Sequence, residues 1–216
     1  MGNSKIKAII FDMDGVLVDT EPLHYIAWKK VLGKYGYNLT KNEFIIDFVG
    51  VGKEICSENM SKKLKIPKNE ILKERNRMYR GLMKGARERN GAIKLVIKLR
   101  KNFKMCVATS SKKDEALYVL KNTKLADLFE KIVTGSNVKR LKPYPDIYLF
   151  AAKKIKVKPQ ECVAIEDTEV GIKAAKAAGM KCIAVPHEFS RKQDFSLADK
   201  VIKSLSLIDD KLIQSL

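Results

Sequence analysis

The strongest constraint on the fold of this chain is a set of five short apolar runs: Ile6–Phe11, Met105–Ala108, Ile132–Thr134, Cys162–Ile165 and Cys182–Val185. Each ends in polar or Gly-rich residues, and none alternates polar with apolar. Alternation marks a strand with one wet face. Unbroken apolar runs predict strands buried on both faces, as in a parallel sheet covered by helices. Stretches of helical length separate the later runs: Asp114–Thr123, Pro145–Lys154 and Thr168–Ala178. The last has Asp167 or Thr168 as its cap, an Ala-rich body and Gly179 as its stop. Strands alternating with helices predict an open α/β sheet with right-handed crossovers.

One segment departs from this rhythm. From about Val16 to about Asn90 no buried strand is visible, only helical, charged sequence with Gly-containing breaks. Pro22–Tyr35 is amphipathic, with Leu23, Ala27, Val31 and Lys34–Tyr35 around one face. Further helices are expected at Asn42–Phe48, Lys53–Leu64 and Asn69–Met83. The segment therefore reads as a helical insertion between the first and second sheet strands.

The 216 residues suffice for one sizeable core with a smaller inserted domain. No apolar stretch approaches the ~18 residues that span a bilayer, and the start of the chain lacks a basic-then-apolar leader. Met1-Gly2-Asn3-Ser4 begins like an acylation signal, but Ile6 stands where that motif needs Ser or Thr. A cytoplasmic protein without membrane contact is expected. Cys56, Cys106, Cys162 and Cys182 are scattered, with no C-x-x-C spacing, and read as small hydrophobes rather than a zinc site or disulfide frame. The formal net charge is +18. Its basic residues are dispersed along the whole chain, Lys predominates over Arg, and the aromatics do not interleave with them as a stacking platform would. The charge thus favours small anionic substrates, with no nucleic-acid partner.

Four short segments carry chemistry. Ile9-Ile10-Phe11-Asp12-Met13-Asp14-Gly15 sends two carboxylates out of a buried strand's C-terminal end, where open α/β sheets bind ligands. Such a pair can hold a hard cation such as Mg²⁺ or divide nucleophilic and acid/base roles; a plain turn after a strand is the bland alternative. Val163-Ala164-Ile165-Glu166-Asp167 repeats the pattern, although Asp167 alone could simply cap a helix. Cys106-Val107-Ala108-Thr109-Ser110-Ser111 offers hydroxyls and free N–H groups suited to a phosphate, or to helix capping. In Leu141-Lys142-Pro143-Tyr144-Pro145-Asp146, prolines flank a lysine that could face an anion. Two acid pairs, hydroxyl donors and a fixed cation at the ends of parallel strands are what phosphoryl transfer requires. A P-loop fails because Glu54 follows Gly52-Lys53, and no G-x-G-x-x-G follows the first strand.

In this order and spacing the four segments resemble the haloacid dehalogenase-like superfamily, over nearly the whole chain. Asp12-Met13-Asp14-Gly15-Val16-Leu17-Val18-Asp19-Thr20 is similar to its first motif, Thr109 to its second, Lys142 to its third and Glu166-Asp167 to its fourth. Gly171-Ile172, Ala174-Ala175 and Ala177-Ala178-Gly179-Met180 resemble the helix that follows in the sugar-phosphate phosphatase and β-phosphoglucomutase branch. The architecture implied is α/β: a Rossmann-like open parallel sheet with helices on both faces (residues 1–15 and 91–216) and a small inserted helical cap domain (residues 16–90). The resemblance implies that Asp12 attacks phosphorus to give an aspartyl-phosphate and that Asp14 protonates the leaving oxygen and then activates the acceptor. It places Mg²⁺ on the Asp12 carboxylate, the Asp14 backbone carbonyl and Asp167, with Glu166 in support, and the phosphoryl oxygens on Thr109, Ser110 and Lys142. The true dehalogenases lack the second aspartate, so Asp14 argues against dehalogenation.

The inserted cap would select the substrate. His24 stands where the mutases place a His that couples cap closure to catalysis; a half-buried His on an amphipathic helix is an equal reading. Gly50-Val51-Gly52-Lys53 matches the mutases' Lys-Gly-Val-Ser-Arg segment only in part: Val49 replaces the Lys, Gly52 the Ser and Lys53 the Arg, and Lys does not grip phosphate as Arg does. The expected activity is a Mg²⁺-dependent phosphatase acting, as a monomer, on a small phosphorylated metabolite, with a sugar phosphate as the expected class. The alternatives are a β-phosphoglucomutase and, from another class, a non-catalytic basic binding module.

Overall fold

The computed structural model describes residues 5–216, so the acylation reading of Met1–Ser4 lies outside the described residues. The elements follow in the order β1 (Ala8–Phe11), β2 (Val18–Asp19), α1 (Glu21–Gly33), α2 (Lys41–Asp47), α3 (Lys53–Leu64), α4 (Lys68–Leu82) and β3 (Arg87–Glu88). They continue with α5 (Ala92–Leu99), β4 (Lys104–Thr109), α6 (Lys113–Asn122), β5 (Lys131–Thr134), α7 (Asp146–Ile155), β6 (Cys162–Glu166), α8 (Glu169–Ala177), β7 (Lys181–Ala184), β8 (Lys200–Val201) and α9 (Asp210–Gln214). Among the described residues two compact units result, one of residues 5–19 with 87–216 and the other of residues 20–86.

In the first unit all five apolar runs form strands. The sheet order is β5-β4-β1-β6-β7-β8, and every neighbouring pair is parallel. This is the open α/β sheet expected from the unbroken apolar runs. Side-chain alternation then sorts residue size between the faces. Ala8, Ile10, Cys106, Ala108, Cys162, Ala164, Cys182 and Ala184 share one face, with Tyr148, Ala151 and Ala152 of α7 and Ala174 and Ala175 of α8 packed among them. Small residues on both sides let these helices approach the sheet closely. Cys106, Cys162 and Cys182 are buried and free, as the scattered spacing suggested. Burial pushes the thiols of Cys106 and Cys162 up to about 12, so they pack as hydrophobes and not as nucleophiles.

The second unit is helical. Ala27, Trp28, Val31 and Leu32 form the buried face of α1; Ala27 and Val31 lie on the face read from the sequence, whereas Leu23 and Tyr35 are half-buried and Lys34 is exposed. Its core continues through Phe44 of α2, Cys56 and Met60 of α3, and Ile71 and Tyr79 of α4. Thr40 and Glu43 close a capping box at the start of α2, each satisfying the other's backbone N–H at 3.2 and 2.9 Å. No described helix is long and apolar enough to cross a membrane.

Candidate active site

Strand register brings the acids together. Phe11 pairs with Val107 on one side and Ile165 on the other, so the next residue, Asp12, stands level with Glu166. The Asp12 N–H extends the ladder by donating to the Ile165 carbonyl at 3.0 Å. Asp12 and Glu166 share the parity of Ile10 and Ala164 and therefore the α7 side of the sheet. Lys142, in the loop before α7, joins them: its Nζ donates to Asp12 Oδ1 and, at 2.6 Å, to Glu166 Oε1. The Tyr148 hydroxyl, on α7, donates to the same Glu166 oxygen, and its ring lies 5.1 Å from Lys142 Nζ.

Asp167 follows Glu166 directly. It does not cap α8, because Thr168 does: its Oγ1 accepts the Gly171 N–H at 3.3 Å. Asp167 is thereby left for the cluster, and oxygens of Asp12, Glu166 and Asp167 lie within 4.8 Å of one another. Asp14 is held separately. Thr109 Oγ1 and Ser111 Oγ donate to Asp14 Oδ2 at 3.1 and 2.8 Å, while the Ser111 N–H donates to Thr109 Oγ1 at 3.0 Å. Ser110, named from the sequence, is exposed, and it is the hydroxyl of its neighbour Ser111 that reaches the acid.

Two glycines make this density possible. A Cβ on Gly171 would lie 2.0 Å from Glu166 Oε2. At Gly15, which has φ +79°, it would meet Asp167 Oδ2 at 2.2 Å and His187 Nε2 at 2.6 Å.

The cluster carries unbalanced charge. Three buried carboxylates stand together, and the Lys142 ammonium pairs with two of them, Asp12 and Glu166. Burial pushes the Asp12 carboxyl well above its usual range; Lys142 opposes this, and the charges of Glu166, Asp167 and Asp14 add to it. Burial pulls Lys142 down, but Asp12 and Glu166 more than offset it and leave its pKa raised. Tyr148 is raised by burial and by the Glu166 charge, so it stays a donor. Buried anionic excess with oxygen-only donors fits a hard divalent cation, which Asp12, Glu166 and Asp167 could hold together.

Tyr148 offers a check on this packing. Tyr148→Phe removes a buried hydroxyl bonded to a carboxylate and should cost about 1.5–3 kcal/mol, read from the shift in the denaturant midpoint. An unchanged midpoint would mean that the hydrogen bond adds nothing to the fold.

The remaining candidates, His24 and Lys53, belong to the helical unit. His24 stacks on Tyr79 with ring centroids 4.1 Å apart, and its Nδ1 faces the guanidinium of buried Arg75. Lys53 is half-buried and opens α3. The structure thus gathers Asp12, Asp14, Thr109, Lys142, Glu166 and Asp167 within the sheet unit, and His24 and Lys53 belong to the chain's other unit. Sequence reasoning missed Ser111, Tyr148, His187 and Arg89. His187 Nε2 stands 2.8 Å from Asp167 Oδ2, and the Arg89 guanidinium donates to the Gly15 carbonyl. His187 had a usable signal, since it lies two residues past the last apolar run, at the ligand-binding edge of the sheet.

The haloacid dehalogenase-like hydrolase family matches residues 9–185, and the chain belongs to that family. Among curated relatives, the phosphorylated carbohydrates phosphatase of Thermotoga maritima is 36% identical over 187 residues, covering 82% of this chain and 84% of that protein. The β-phosphoglucomutase of Bacillus subtilis is 32% identical over 214 residues, covering 93% and 91%. Among solved structures, CbbY from Rhodobacter sphaeroides in complex with phosphate superposes with a TM-score of 0.83 at 27% identity, covering 98% of this chain and 100% of that one.

Proposed function

We propose that the protein is a Mg²⁺-dependent phosphatase of a small phosphorylated metabolite, with a sugar phosphate as the substrate class. The observation that carries this reading is the joining of Asp12, Lys142, Glu166 and Asp167 at the C-terminal edge of the sheet, beside an Asp14 held by two hydroxyls. The names of the two curated relatives point to phosphorylated carbohydrates in the same way.

In this reading Asp12 is the nucleophile, and Lys142 orients its carboxylate through Oδ1. Attack forms the bond from the Asp12 oxygen to phosphorus while the ester oxygen leaves. Asp14 donates the proton to that oxygen and then takes one from the attacking water, which breaks the aspartyl-phosphate and releases phosphate. Ser111 holds Asp14 in place for both transfers, while the Thr109 hydroxyl turns from Asp14 to the phosphoryl oxygens, which the Ser110 N–H and Lys142 also take. Mg²⁺ on Asp12, Glu166 and Asp167 would offset the charge of the phosphoryl group. Burial and the neighbouring acids raise the Asp12 carboxyl above its usual range, and a cation there would favour the ionised nucleophile.

The helical unit acts as the cap that selects the substrate, with His24 and Lys53 as its contributors. Lys53→Ala should lower turnover of sugar phosphates by about ten- to a hundred-fold, the worth of a charge-assisted contact, and leave a minimal aryl phosphate nearly unaffected. Equal losses on both would remove Lys53 from substrate choice.

The β-phosphoglucomutase reading is kept because one curated relative carries that name over most of both chains. The experiment that separates the two is incubation with Mg²⁺ and a panel of phosphomonoesters, including β-glucose 1-phosphate primed with a sugar bisphosphate. Release of free phosphate without glucose 6-phosphate is expected. Rapid glucose 6-phosphate with little free phosphate would make the enzyme a mutase.

A further inference from the structure

The geometry points to His187 and Arg89 as positioning residues that hold Asp167 in its cation-binding orientation, an inference that rests on the metal site proposed above.

His187 is anchored before it reaches the acid. Its N–H donates to Ser190 Oγ at 3.2 Å, and its carbonyl accepts from the N–H groups of Ser190 and Arg191 at 3.0 and 2.9 Å. The Phe189 N–H donates to His187 Nδ1 at 3.2 Å. A ring nitrogen that accepts carries no proton, so the neutral ring bears its hydrogen on Nε2. Nε2 lies 2.8 Å from Asp167 Oδ2 and therefore donates to it. One carboxylate oxygen is fixed in this way, which sets how the carboxylate meets a cation.

Arg89 fixes the backbone on which this depends. It follows β3, where its N–H donates to the Leu17 carbonyl at 2.8 Å. Its guanidinium donates to the carbonyls of Gly15, Val185 (3.2 Å) and Pro186 (3.3 Å). The turn after β1 is thus tied to the segment that carries His187. Gly15 is where the two meet, since a Cβ there would strike both Asp167 and His187. Neither side chain touches the reacting atoms in the proposed chemistry; both act through Asp167. Hydrogen-bond partners of metal ligands commonly govern affinity by 10–100-fold.

The test is Mg²⁺ binding by calorimetry on the full chain, with melting temperature and the Mg²⁺ dependence of turnover recorded alongside. His187→Leu should weaken Mg²⁺ binding by about 10–100-fold, with a smaller change in kcat at saturating Mg²⁺. His187→Gln, whose amide nitrogen reaches the place of Nε2, should restore most of the affinity. His187→Asn is too short and should not, and it replaces the Leu variant if that one fails to fold. Arg89→Met should weaken binding in the same direction. Wild-type affinity in both His187→Leu and His187→Asn would overturn the inference, as would a Gln variant no better than Asn. A wild-type protein that binds no Mg²⁺ would instead overturn the metal site itself, and this inference with it.

Discussion

Asp12→Asn is expected to abolish turnover, by about a thousand-fold or more, while the protein keeps its fold. The amide is nearly isosteric with the carboxylate but cannot attack phosphorus or form an acyl phosphate. The effect on stability should run opposite to the usual cost of altering a buried polar residue. Burial first, and then the charges of Glu166, Asp167 and Asp14, hold the Asp12 carboxyl well above the usual range even with Lys142 bonded to it. Replacing it with a neutral group relieves that repulsion in the metal-free protein. The melting temperature without divalent cation should therefore stay level or rise, and the gain on adding Mg²⁺ should shrink. Single-turnover measurements with a chromogenic aryl phosphate, next to thermal melts with and without Mg²⁺, check both halves. Substantial Mg²⁺-dependent turnover in the variant would remove Asp12 from the nucleophile's role.

What the sequence made legible follows from where side-chain identity is decisive. A strand buried on both faces must be apolar throughout, so β1, β4, β5, β6 and β7 stood out, and with them the edge of the sheet where the acids lie. Elements whose stability comes from context did not. Helix α5 buries Ala92, Leu95, Val96 and Leu99, but it starts at Gly91 without a side-chain cap and lies among lysines. The β2–β3 pair is two residues long on each side and mostly exposed, so nothing in its composition marks it. The site divides along the same line. Asp12, Asp14, Glu166 and Asp167 sit directly at strand ends and could be read from position. Tyr148 reads as one more core aromatic of α7, because only the tertiary fold brings its hydroxyl to Glu166. Arg89 gives no signal at all in a chain with 43 basic residues. Its role appears only once Gly15 and Val185 are seen to converge on it.

Removing the divalent cation is the other change expected to have a large effect, and its dependence on pH gives it a sign. The folded pKa of Asp12 lies above the unfolded value near 3.8. Between those two values the metal-free folded chain holds a proton that the unfolded chain has already released. Stability of the metal-free protein therefore falls as pH rises through that window, and it levels off above the folded pKa. With Mg²⁺ on the cluster the carboxylate stays ionised and this loss disappears. The stabilisation by Mg²⁺ should thus grow with pH across the window, reaching about 2.7 kcal/mol at a hundredfold excess over the dissociation constant. Binding must also expel the proton, so calorimetric heats should change with the ionisation enthalpy of the buffer. Thermal melts in chelator and in Mg²⁺ over a pH series, with titrations in two buffers, measure both effects. A stabilisation independent of pH, with no proton released, would place the cation away from Asp12. Among the described residues Lys142 would then be the ion-pair partner left to Asp12, and an ammonium shared with Glu166 is poorly suited to keep Asp12 ionised for the proposed attack.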